Sequence, residues 1–361
     1  MGTMDTMPTA SAEIDAGWLT TALRAGGAID ERTSVTEVAA EPIAEGIGFM
    51  GEVARLRPTF TGGQGPRTVI VKIPTQNPVV REMMKPARVF EREARFYAEL
   101  APQLAVVADA LYVAADYETD NYVLVLDDLG HLRVGDQAAG ADVADAEAAL
   151  IALAALHAQF WRSPRLDSLA WMPMANADSM KIGREIYQAS LPGFRQVFGH
   201  AIDPANEALV DRFGDNVHQL LDRLAAMPTT IMHFDYRLDN LFFGDDSTVR
   251  MIDFQASSKG GGAYDVGYFL SQNLDIDTRR ASEDGLLHTY HDALVAGGVA
   301  DYPFDQLVED YRVGVLYGWI IPVFAVGTLD SSSERAMTLW TRVIERSQAA
   351  MRDHHVADLL D

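Results

Sequence analysis

The chain is 361 residues long, and 48% of its residues are hydrophobic, as expected for a folded globular protein. This length exceeds what a single hydrophobic core usually supports, so two lobes are predicted, residues 1–127 and residues 128–361. The formal net charge of −23 argues against a nucleic-acid partner, because phosphate binding needs clustered Lys and Arg. The sequence contains no cysteine, which excludes disulfides and thiol chemistry.

Two further features of the composition concern location and partners. The sequence has no basic and apolar leader and no apolar run of about 18 residues, so neither a signal peptide nor a membrane partner is predicted. The cytoplasm is the expected compartment. The acidic residues are spread along the whole chain, which indicates a solubilising surface more than an acidic pocket for a cationic substrate.

A glycine-rich segment follows a predicted helix near residues 12–26. Residues 46–53 read Gly-Ile-Gly-Phe-Met-Gly-Glu-Val, which by itself fits a dinucleotide-binding fold, a phosphate-covering loop of a kinase, or a flexible hairpin. Residues 53–57 continue as a strand where a dinucleotide site needs a helix, so the pattern favours a kinase. Its glycines would let backbone amides approach phosphates, and its valine would pack on adenine. These nucleotide-binding candidates are Gly46, Gly48, Gly51 and Val53.

A lysine interrupts the next predicted strand. Residues 68–73 read Thr-Val-Ile-Val-Lys-Ile, and burying the ammonium of Lys72 there costs several kcal/mol unless it is paired. The following helix, predicted over residues 86–100 and opened by Pro86, places Glu93 on its apolar stripe. We therefore predict a Lys72–Glu93 ion pair. The alternative is a strand-edge lysine with its amine in water.

The later elements are mainly helical. Strands are predicted near residues 107–117 and 121–127, and a long amphipathic helix over residues 141–161. His157, on the inner stripe of that helix, is interpreted as a satisfied core histidine. The His288/His291 and His354/His355 pairs lack a carboxylate or cysteine framework, so no zinc site is predicted.

The most informative motif lies at residues 233–240, which read His-Phe-Asp-Tyr-Arg-Leu-Asp-Asn, with Asp-Phe-Gln following at 253–255. Phosphoryl transfer needs an oriented hydroxyl nucleophile, a bound metal and neutralised phosphate charge. Asp235 would accept the hydroxyl proton. Asn240 and Asp253 offer the oxygen ligands that magnesium prefers.

The runs that flank this motif predict its local structure. Short buried strands are expected at 230–232, 241–243 and 249–252, with a turn at 244–246, so the three functional side chains would lie at neighbouring strand ends. The alternative is a carboxylate-rich turn region that only caps strands. Together with the glycine segment and the predicted ion pair, the motif indicates an ATP- and Mg²⁺-dependent kinase.

These parts resemble the protein-kinase-like fold of the small-molecule kinases, which include the aminoglycoside phosphotransferases, the choline kinases and the ecdysteroid kinase-like (CHK kinase-like) proteins. The resemblance covers about residues 45–298, and several runs look most similar to the ecdysteroid kinase-like branch. Those runs lie at residues 90–97, 124–129, 156–161, 253–255 and 264–270. The chain departs from the pattern in having Phe234 where these families generally carry Gly, and Asp127 where the branch often has Glu.

The resemblance implies an α+β, bilobal fold with a β-rich N-terminal lobe, a mainly helical C-terminal lobe and the reaction in the cleft between them. It also implies a hinge at residues 126–129, where backbone groups of residues such as Leu126 and Asp128 would hydrogen-bond adenine. Asp265 would brace the catalytic loop, although a helix N-cap is an equal alternative. The glycine run at 260–262 suggests a mobile loop.

The predicted activity is transfer of phosphate from ATP to a hydroxyl group of a small molecule, with Asp235, Lys72 and Glu93 as the catalytic set. Two segments, 171–200 and the last helices, hold aromatic and methionine side chains that could line a cleft for a lipophilic, sterol-like alcohol, or form ordinary core. The alternatives are an aminoglycoside or other antibiotic as acceptor, and a nucleotide-binding pseudokinase. The cleft candidates are Trp171, Met172, Met174, Met180, Tyr187, Phe194, Tyr317, Trp319, Phe324 and Trp340.

Overall fold

The computed structural model of the protein describes residues 7–43, 50–181, 183–328 and 333–361. The chain divides into two compact units. The first unit contains Met1–Leu132 and Met251–Ala256, and the second contains Arg133–Arg250 and Ser257–Asp361. The short segment Met251–Ala256 therefore belongs to the N-terminal unit, although the chain on either side of it belongs to the C-terminal unit.

The N-terminal unit is built on a five-stranded antiparallel sheet with the order β1-β2-β3-β5-β4. One face of this sheet packs on helix α1 (Ala16–Ala25) through Val71, Ile73 and Val125, which meet Leu19 and Leu23 of the helix. Since side chains alternate along a strand, Lys72 lies on the opposite face. The strands are β1 (Ser34–Ile43), β2 (Gly51–Thr61), β3 (Val69–Pro74), β4 (Ala110–Asp116) and β5 (Asn121–Asp127).

The helical region of this unit differs from the prediction for residues 86–100. After α2 (Pro78–Met84), Pro86 lies in a separate 3₁₀ turn, Lys85–Ala87, and Arg88 takes a left-handed conformation with φ of 49°. Helix α3 (Val89–Arg95) begins only after this break and continues as a π-helical turn, Phe96–Leu100. The prediction that Pro86 opens one continuous helix is therefore wrong, because the left-handed Arg88 interrupts the helix between Pro86 and Val89.

The C-terminal unit is mainly helical. Its central helix, α8, is buried at every residue, so it is surrounded by the other elements of the unit. The helices are α4 (Val143–Phe160), α5 (Arg165–Ser168), α6 (Gly183–Phe198), α7 (Glu207–Ala226), α8 (Ala263–Asn273), α9 (Ile276–Ala296), α10 (Phe304–Tyr317), α11 (Ile320–Thr328) and α12 (Glu334–Asp353).

Short strands connect these helices, and three of them lie at the positions predicted around the motif. The three-stranded sheet has the order β6-β8-β9, and β7 pairs with β10 in antiparallel register. The strands are β6 (Arg133–Val134), β7 (Thr229–Met232), β8 (Leu241–Phe243), β9 (Val249–Met251) and β10 (Ser258–Gly261).

The glycine run at 260–262 is not a mobile loop, which corrects the expectation from sequence. Gly260 and Gly261 belong to β10 and are buried opposite Thr230 and Thr229 of β7. A Cβ at Gly261 would lie 2.4 Å from Sδ of Met227, so only glycine leaves room for the close packing of this strand.

Helix α4 lies within residues 141–161, where the amphipathic helix is predicted. Among the described residues, it is the one helix whose length and hydropathy would allow it to cross a membrane, and 56% of it is buried inside the protein. His157 lies on its buried side, where its ring nitrogens are 2.8 Å from the Tyr290 hydroxyl and 3.2 Å from Asp265. The prediction of a satisfied core histidine is confirmed.

Candidate active site

Lys72 occupies the centre of a buried polar cluster in the N-terminal unit. Its Nζ donates to Oε1 of Glu93 at 2.6 Å, and the two side chains are only 13% and 1% exposed. The ion pair predicted from sequence is therefore present, and the strand-edge alternative is wrong. The hydroxyl of Tyr122 donates to the other oxygen of Glu93 at 2.5 Å, which fixes the orientation of that carboxylate.

A second carboxylate, from Asp253, also accepts a hydrogen bond from Nζ of Lys72, at 3.1 Å. Burial alone would lower the pKa of Lys72, but the carboxylates of Asp253 and Glu93 outweigh burial and raise its pKa above the usual value. The lysine is therefore an ammonium at neutral pH. Burial raises the pKa of Glu93, and the Lys72 ammonium opposes that rise.

Aromatic packing holds Asp253 next to Lys72. The ring of Phe254, the next residue, is fully buried and stacks on Phe96 with a centroid distance of 3.8 Å. Asp253 itself has a φ of 66°, the left-handed region that L-residues rarely adopt. Such a conformation costs about 1–3 kcal/mol and persists only where the surrounding structure imposes it, most often at functional sites.

The glycine-rich hairpin is described only in part. Gly46 and Gly48 lie outside the described residues. A Cβ at Gly51 would come within 2.4 Å of the carbonyl oxygen of Ile73, so glycine is required where β2 meets β3. Val53 is paired directly with Lys72 across these strands, which puts both side chains on the same face of the sheet.

The predicted hinge lies at the end of β5. Leu126 pairs with Ile70 of β3, and the Asp128 carboxylate accepts hydrogen bonds from Nε of Arg55 at 2.6 Å and from the Gly130 amide at 2.9 Å. Burial raises the pKa of Asp128, but the hydrogen bonds, chiefly from Arg55, lower it to about 2. This carboxylate is already engaged, so Asp128 would offer only backbone groups to a nucleotide.

In the C-terminal unit, Asp235 lies in a loop between β7 and β8 with its carboxylate 25% exposed. Three donors surround it. The Tyr268 hydroxyl is 3.2 Å from Oδ1, while Nδ2 of Asn240 and Nε of Arg237 are 3.1 Å and 3.3 Å from Oδ2. Burial and the Asp235 charge raise the pKa of Tyr268 well above its usual value, so this phenol remains a donor.

Asn240 is nearly buried and has a defined orientation. Its Nδ2 donates to the backbone oxygen of Asp235 at 2.9 Å as well as to the carboxylate. The amide group therefore presents its oxygen on the other side, as a neutral ligand for a hard cation would. Among the described residues, no group of three or more His, Cys, Asp or Glu side chains is arranged to hold a metal ion.

Residues near both ends of helix α8 accept hydrogen bonds from the loop that carries Asp235. Near its start, Asp265 accepts hydrogen bonds from the amides of His233 at 2.7 Å and Phe234 at 2.9 Å. Near its end, Oδ1 of Asn273 accepts from the amide of Leu238 at 2.9 Å. Asp265 therefore braces the loop, while the N-cap of α8 is Gly262 and no side chain caps the helix.

The aromatic residues proposed for a substrate cleft are mostly core. Tyr187 and Trp319 are buried and hydrogen-bonded to each other at 3.2 Å, and the Tyr187 hydroxyl donates to the Val210 carbonyl. Phe194 packs edge-on against Trp319. Of the ten candidates, six are buried: Trp171, Met172, Tyr187, Phe194, Tyr317 and Trp319.

Two contacts to the predicted catalytic residues were not anticipated from sequence. Tyr122 on Glu93 and Tyr268 on Asp235 are both buried phenols. Tyr268 stands three residues after Asp265, so helical spacing already places it on the face that meets the loop. For Tyr122, a polar tip in an otherwise apolar strand is the signal that a partner is required.

Comparison with known proteins identifies what this arrangement is similar to. The model of the Ecdysteroid kinase-like family matches residues 45–298. No match is found among the curated proteins. Among solved structures, a choline kinase from Cryptosporidium parvum has 10% sequence identity and a TM-score of 0.54, and the match covers 89% of this chain and 92% of that one.

Two other solved structures have similar scores. A microcompartment-associated aminopropanol kinase is 15% identical with a TM-score of 0.53, and the match covers 94% of this chain and 98% of that one. An aminoglycoside 2′-phosphotransferase solved with GDP is 12% identical with a TM-score of 0.51, and the match covers 88% of this chain and 93% of that one. At these identities the similarity establishes the fold, and the predicted protein-kinase-like fold is confirmed.

Proposed function

The chain belongs to the Ecdysteroid kinase-like family, and on that premise we propose that it is an ATP- and magnesium-dependent kinase that phosphorylates a hydroxyl group of a small molecule. The observation that carries this proposal is the position of Lys72 between the carboxylates of Glu93 and Asp253, at 2.6 Å and 3.1 Å. A purely structural ion pair needs one carboxylate. The second carboxylate adds an oxygen ligand of the kind that a hard cation prefers.

The donor set suits magnesium with a nucleotide. Asn240 and Asp253 would hold Mg²⁺, because the ion prefers oxygen ligands and is commonly bound by one or two protein side chains together with phosphate oxygens. Bound Mg²⁺ would supply neutralisation of phosphate charge. Lys72 would contact the α- and β-phosphates, and Glu93 would keep its ammonium in place.

The remaining chemistry belongs to the loop of Asp235. Its carboxylate would orient the acceptor hydroxyl and take its proton, and the hydrogen bonds from Tyr268, Asn240 and Arg237 hold that carboxylate in a single orientation. The acceptor that we propose is a lipophilic, sterol-like alcohol, and the cytoplasm is the proposed site of action. The likeness to a GDP-bound phosphotransferase is consistent with use of a nucleotide.

The test is incubation of the protein with Mg²⁺ and terminally labelled ATP against ecdysone, choline, erythromycin and kanamycin. The wild-type protein should label one class of acceptor. Asp235→Asn should lose about 10²–10⁴ in turnover while still binding ATP, since that is the usual value of general-base help. Asp245→Asn, in an exposed turn, is the matched control and should behave as wild type.

The outcomes separate the alternatives. A labelled antibiotic with no labelled ecdysone would replace the proposed acceptor class but keep the kinase. Magnesium-dependent ATP binding without any labelled product would favour a nucleotide-binding module. Unchanged turnover in Asp235→Asn would remove Asp235 from the role of base.

A further inference from the structure

Phe234, the residue before Asp235, has a backbone conformation that a bulky side chain rarely adopts. Its φ is 68°, in the left-handed region that glycine enters without penalty. Its amide is held by Oδ1 of Asp265 at 2.9 Å, so the conformation is imposed by the loop. A glycine would satisfy the same backbone with less strain. We therefore expect the phenylalanine ring to have a role of its own at this position.

The ring of Phe234 belongs to an aromatic cluster. Its centroid lies 4.6 Å from that of Tyr264 and 6.3 Å from that of Tyr317, and both tyrosines are buried. Phe234 is only partly buried. Tyr264 stacks in turn on Tyr268, at 6.0 Å and with an interplanar angle of 13°. The cluster consists of Phe234, Tyr264, Tyr268 and Tyr317.

This aromatic cluster reaches the carboxylate of Asp235 through the Tyr268 hydroxyl, at 3.2 Å. The Tyr264 hydroxyl lies 3.5 Å from the backbone oxygen of Phe234. Arg237, two residues after Asp235, is paired with Asp235 and with Asp239, the latter at 2.7 Å. Aromatic side chains next to the loop of Asp235 suit an apolar ligand.

We propose that Phe234 forms a wall of the acceptor site and selects alcohols whose carbon skeleton is apolar and ring-like next to the reacting hydroxyl. This inference rests on the proposed function, because it takes Asp235 as the group that meets the hydroxyl. Phe234 is thus a specificity-determining residue. A polycationic sugar would gain less from the ring than such a skeleton does. A quaternary ammonium alcohol would be attracted to the ring face by a cation–π contact, so choline is the competing ligand in the test.

The test measures binding, so it does not depend on turnover. Equilibrium dialysis with ecdysone, choline and kanamycin, in the presence of Mg²⁺ and a non-hydrolysable ATP analogue, compares the wild type with Phe234→Gly and Phe234→Leu. Ser247→Gly is the matched control, because Ser247 also has a left-handed φ, 64°, but lies in an exposed turn. Circular dichroism checks that each variant is folded.

Ecdysone should bind the wild type, and Phe234→Gly should weaken its binding at least about tenfold because apolar contact area is lost. Phe234→Leu, which retains most of that area, should weaken it by less than about threefold, and Ser247→Gly should leave it unchanged. An unchanged ecdysone affinity in Phe234→Gly would overturn the inference. An equal loss of affinity for all three compounds in Phe234→Gly would also overturn it. The same holds if the wild type does not bind ecdysone, or if both Phe234 variants lose affinity for choline alone.

Failure of this inference can be told apart from failure of the proposed function. Binding of ecdysone that depends on Phe234, with no compound of the panel phosphorylated, would retain Phe234 as a wall of the ligand site and refute the kinase. Phosphorylation of ecdysone with the same affinity and KM in Phe234→Gly would retain the kinase and refute the wall.

Discussion

Lys72 shows at the scale of single residues why a buried charge in this sequence has a predictable partner. The residues before and after Lys72 in β3, Val71 and Ile73, belong to the core on one face of the sheet. Lys72 therefore lies on the opposite face, where negative charge must compensate its ammonium. Glu93 and Asp253 provide that compensation. Each of these carboxylates in turn depends on the lysine, because an unpaired buried charge is strongly unfavourable.

Lys72→Met should therefore lower the free energy of unfolding by about 3–5 kcal/mol, the usual cost of leaving a buried charge without its partner. Lys72→Met combined with Glu93→Gln should lose less than the sum of the two single variants, because the second change removes the uncompensated charge. Urea denaturation at neutral pH measures all three.

Arg57→Met is the matched control, in the same sheet. Its partner Glu41 and Arg57 itself are each 55% exposed, so removing this pair should cost at most about 1 kcal/mol. If Lys72→Met were no more destabilising than Arg57→Met, the cluster would not be the buried ion pair described above.

The residues of the site were predictable from sequence only where a local pattern carried the signal. The pairing of Glu93 with Lys72 could be predicted from the place of Glu93 on a helical stripe. The roles of Asp235, Asn240 and Asp253, inferred from a motif with fixed spacing, stay predictions. The contact between Lys72 and Asp253 was not found, because 181 positions separate the two residues along the chain. The left-handed backbone of Phe234 was not found either, since its residue type argues against such a conformation.

At the scale of elements, α8 positions the loop that carries Asp235. Asp265 and Asn273 accept hydrogen bonds from loop amides, and Tyr268 donates to the Asp235 carboxylate between them. Asp265 uses both of its oxygens on consecutive amides, those of His233 and Phe234. A buried helix that makes several hydrogen bonds to one loop explains how that loop can carry strain.

Asp265→Asn should destabilise the protein by about 2 kcal/mol, because an amide NH₂ group would face a backbone N–H that needs an acceptor. The turnover number should fall about tenfold to a hundredfold through displacement of Asp235, while the KM for ATP stays within about twofold. Steady-state kinetics and urea denaturation measure both effects.

Asp310→Asn tests whether the kinetic effect is specific to the loop. Asp310 is also buried in the C-terminal unit, where it accepts hydrogen bonds from Tyr302 and Gln306 at 2.8 Å each. This variant should lose stability but keep its turnover number. An equal kinetic loss in both variants would mean that Asp265 acts only through general stability.

Elements with strong periodic patterns were predicted well, and those that depend on packing were not. The strands around the motif, and α4 within two residues at its start and one at its end, lie where their patterns indicate. The glycine run at 260–262 is not the predicted mobile loop, because its glycines pack closely on Met227 and His157. Local sequence does not reveal those contacts. The break at Arg88 likewise has no local signal, since arginine ordinarily favours a helix.

At the scale of the whole molecule, the dominant quantity is the net charge of −23, from 52 acidic and 29 basic residues. Repulsion among exposed carboxylates opposes the folded state, and salt screens that repulsion over a Debye length of about 10 Å at 0.1 M. Many of the described ion pairs are exposed and contribute little to stability, so screening them costs little.

Raising NaCl from about 20 mM to about 300 mM should therefore raise the thermal unfolding midpoint by a few degrees. Differential scanning calorimetry at constant pH measures this shift. A midpoint that falls with added salt would show that attractive ion pairs outweigh the net repulsion.

The central claim is that this chain moves a phosphoryl group from ATP to an alcohol with Asp235 as the base. The most direct measurement is the ratio of phosphorylated ecdysone to ADP formed in one reaction, by mass spectrometry and chromatography, for wild type and Asp235→Asn. The prediction is one phosphorylated alcohol for each ADP in the wild type, and loss of both products in the variant. ADP formed without any phosphorylated alcohol, or equal product from both proteins, would contradict it.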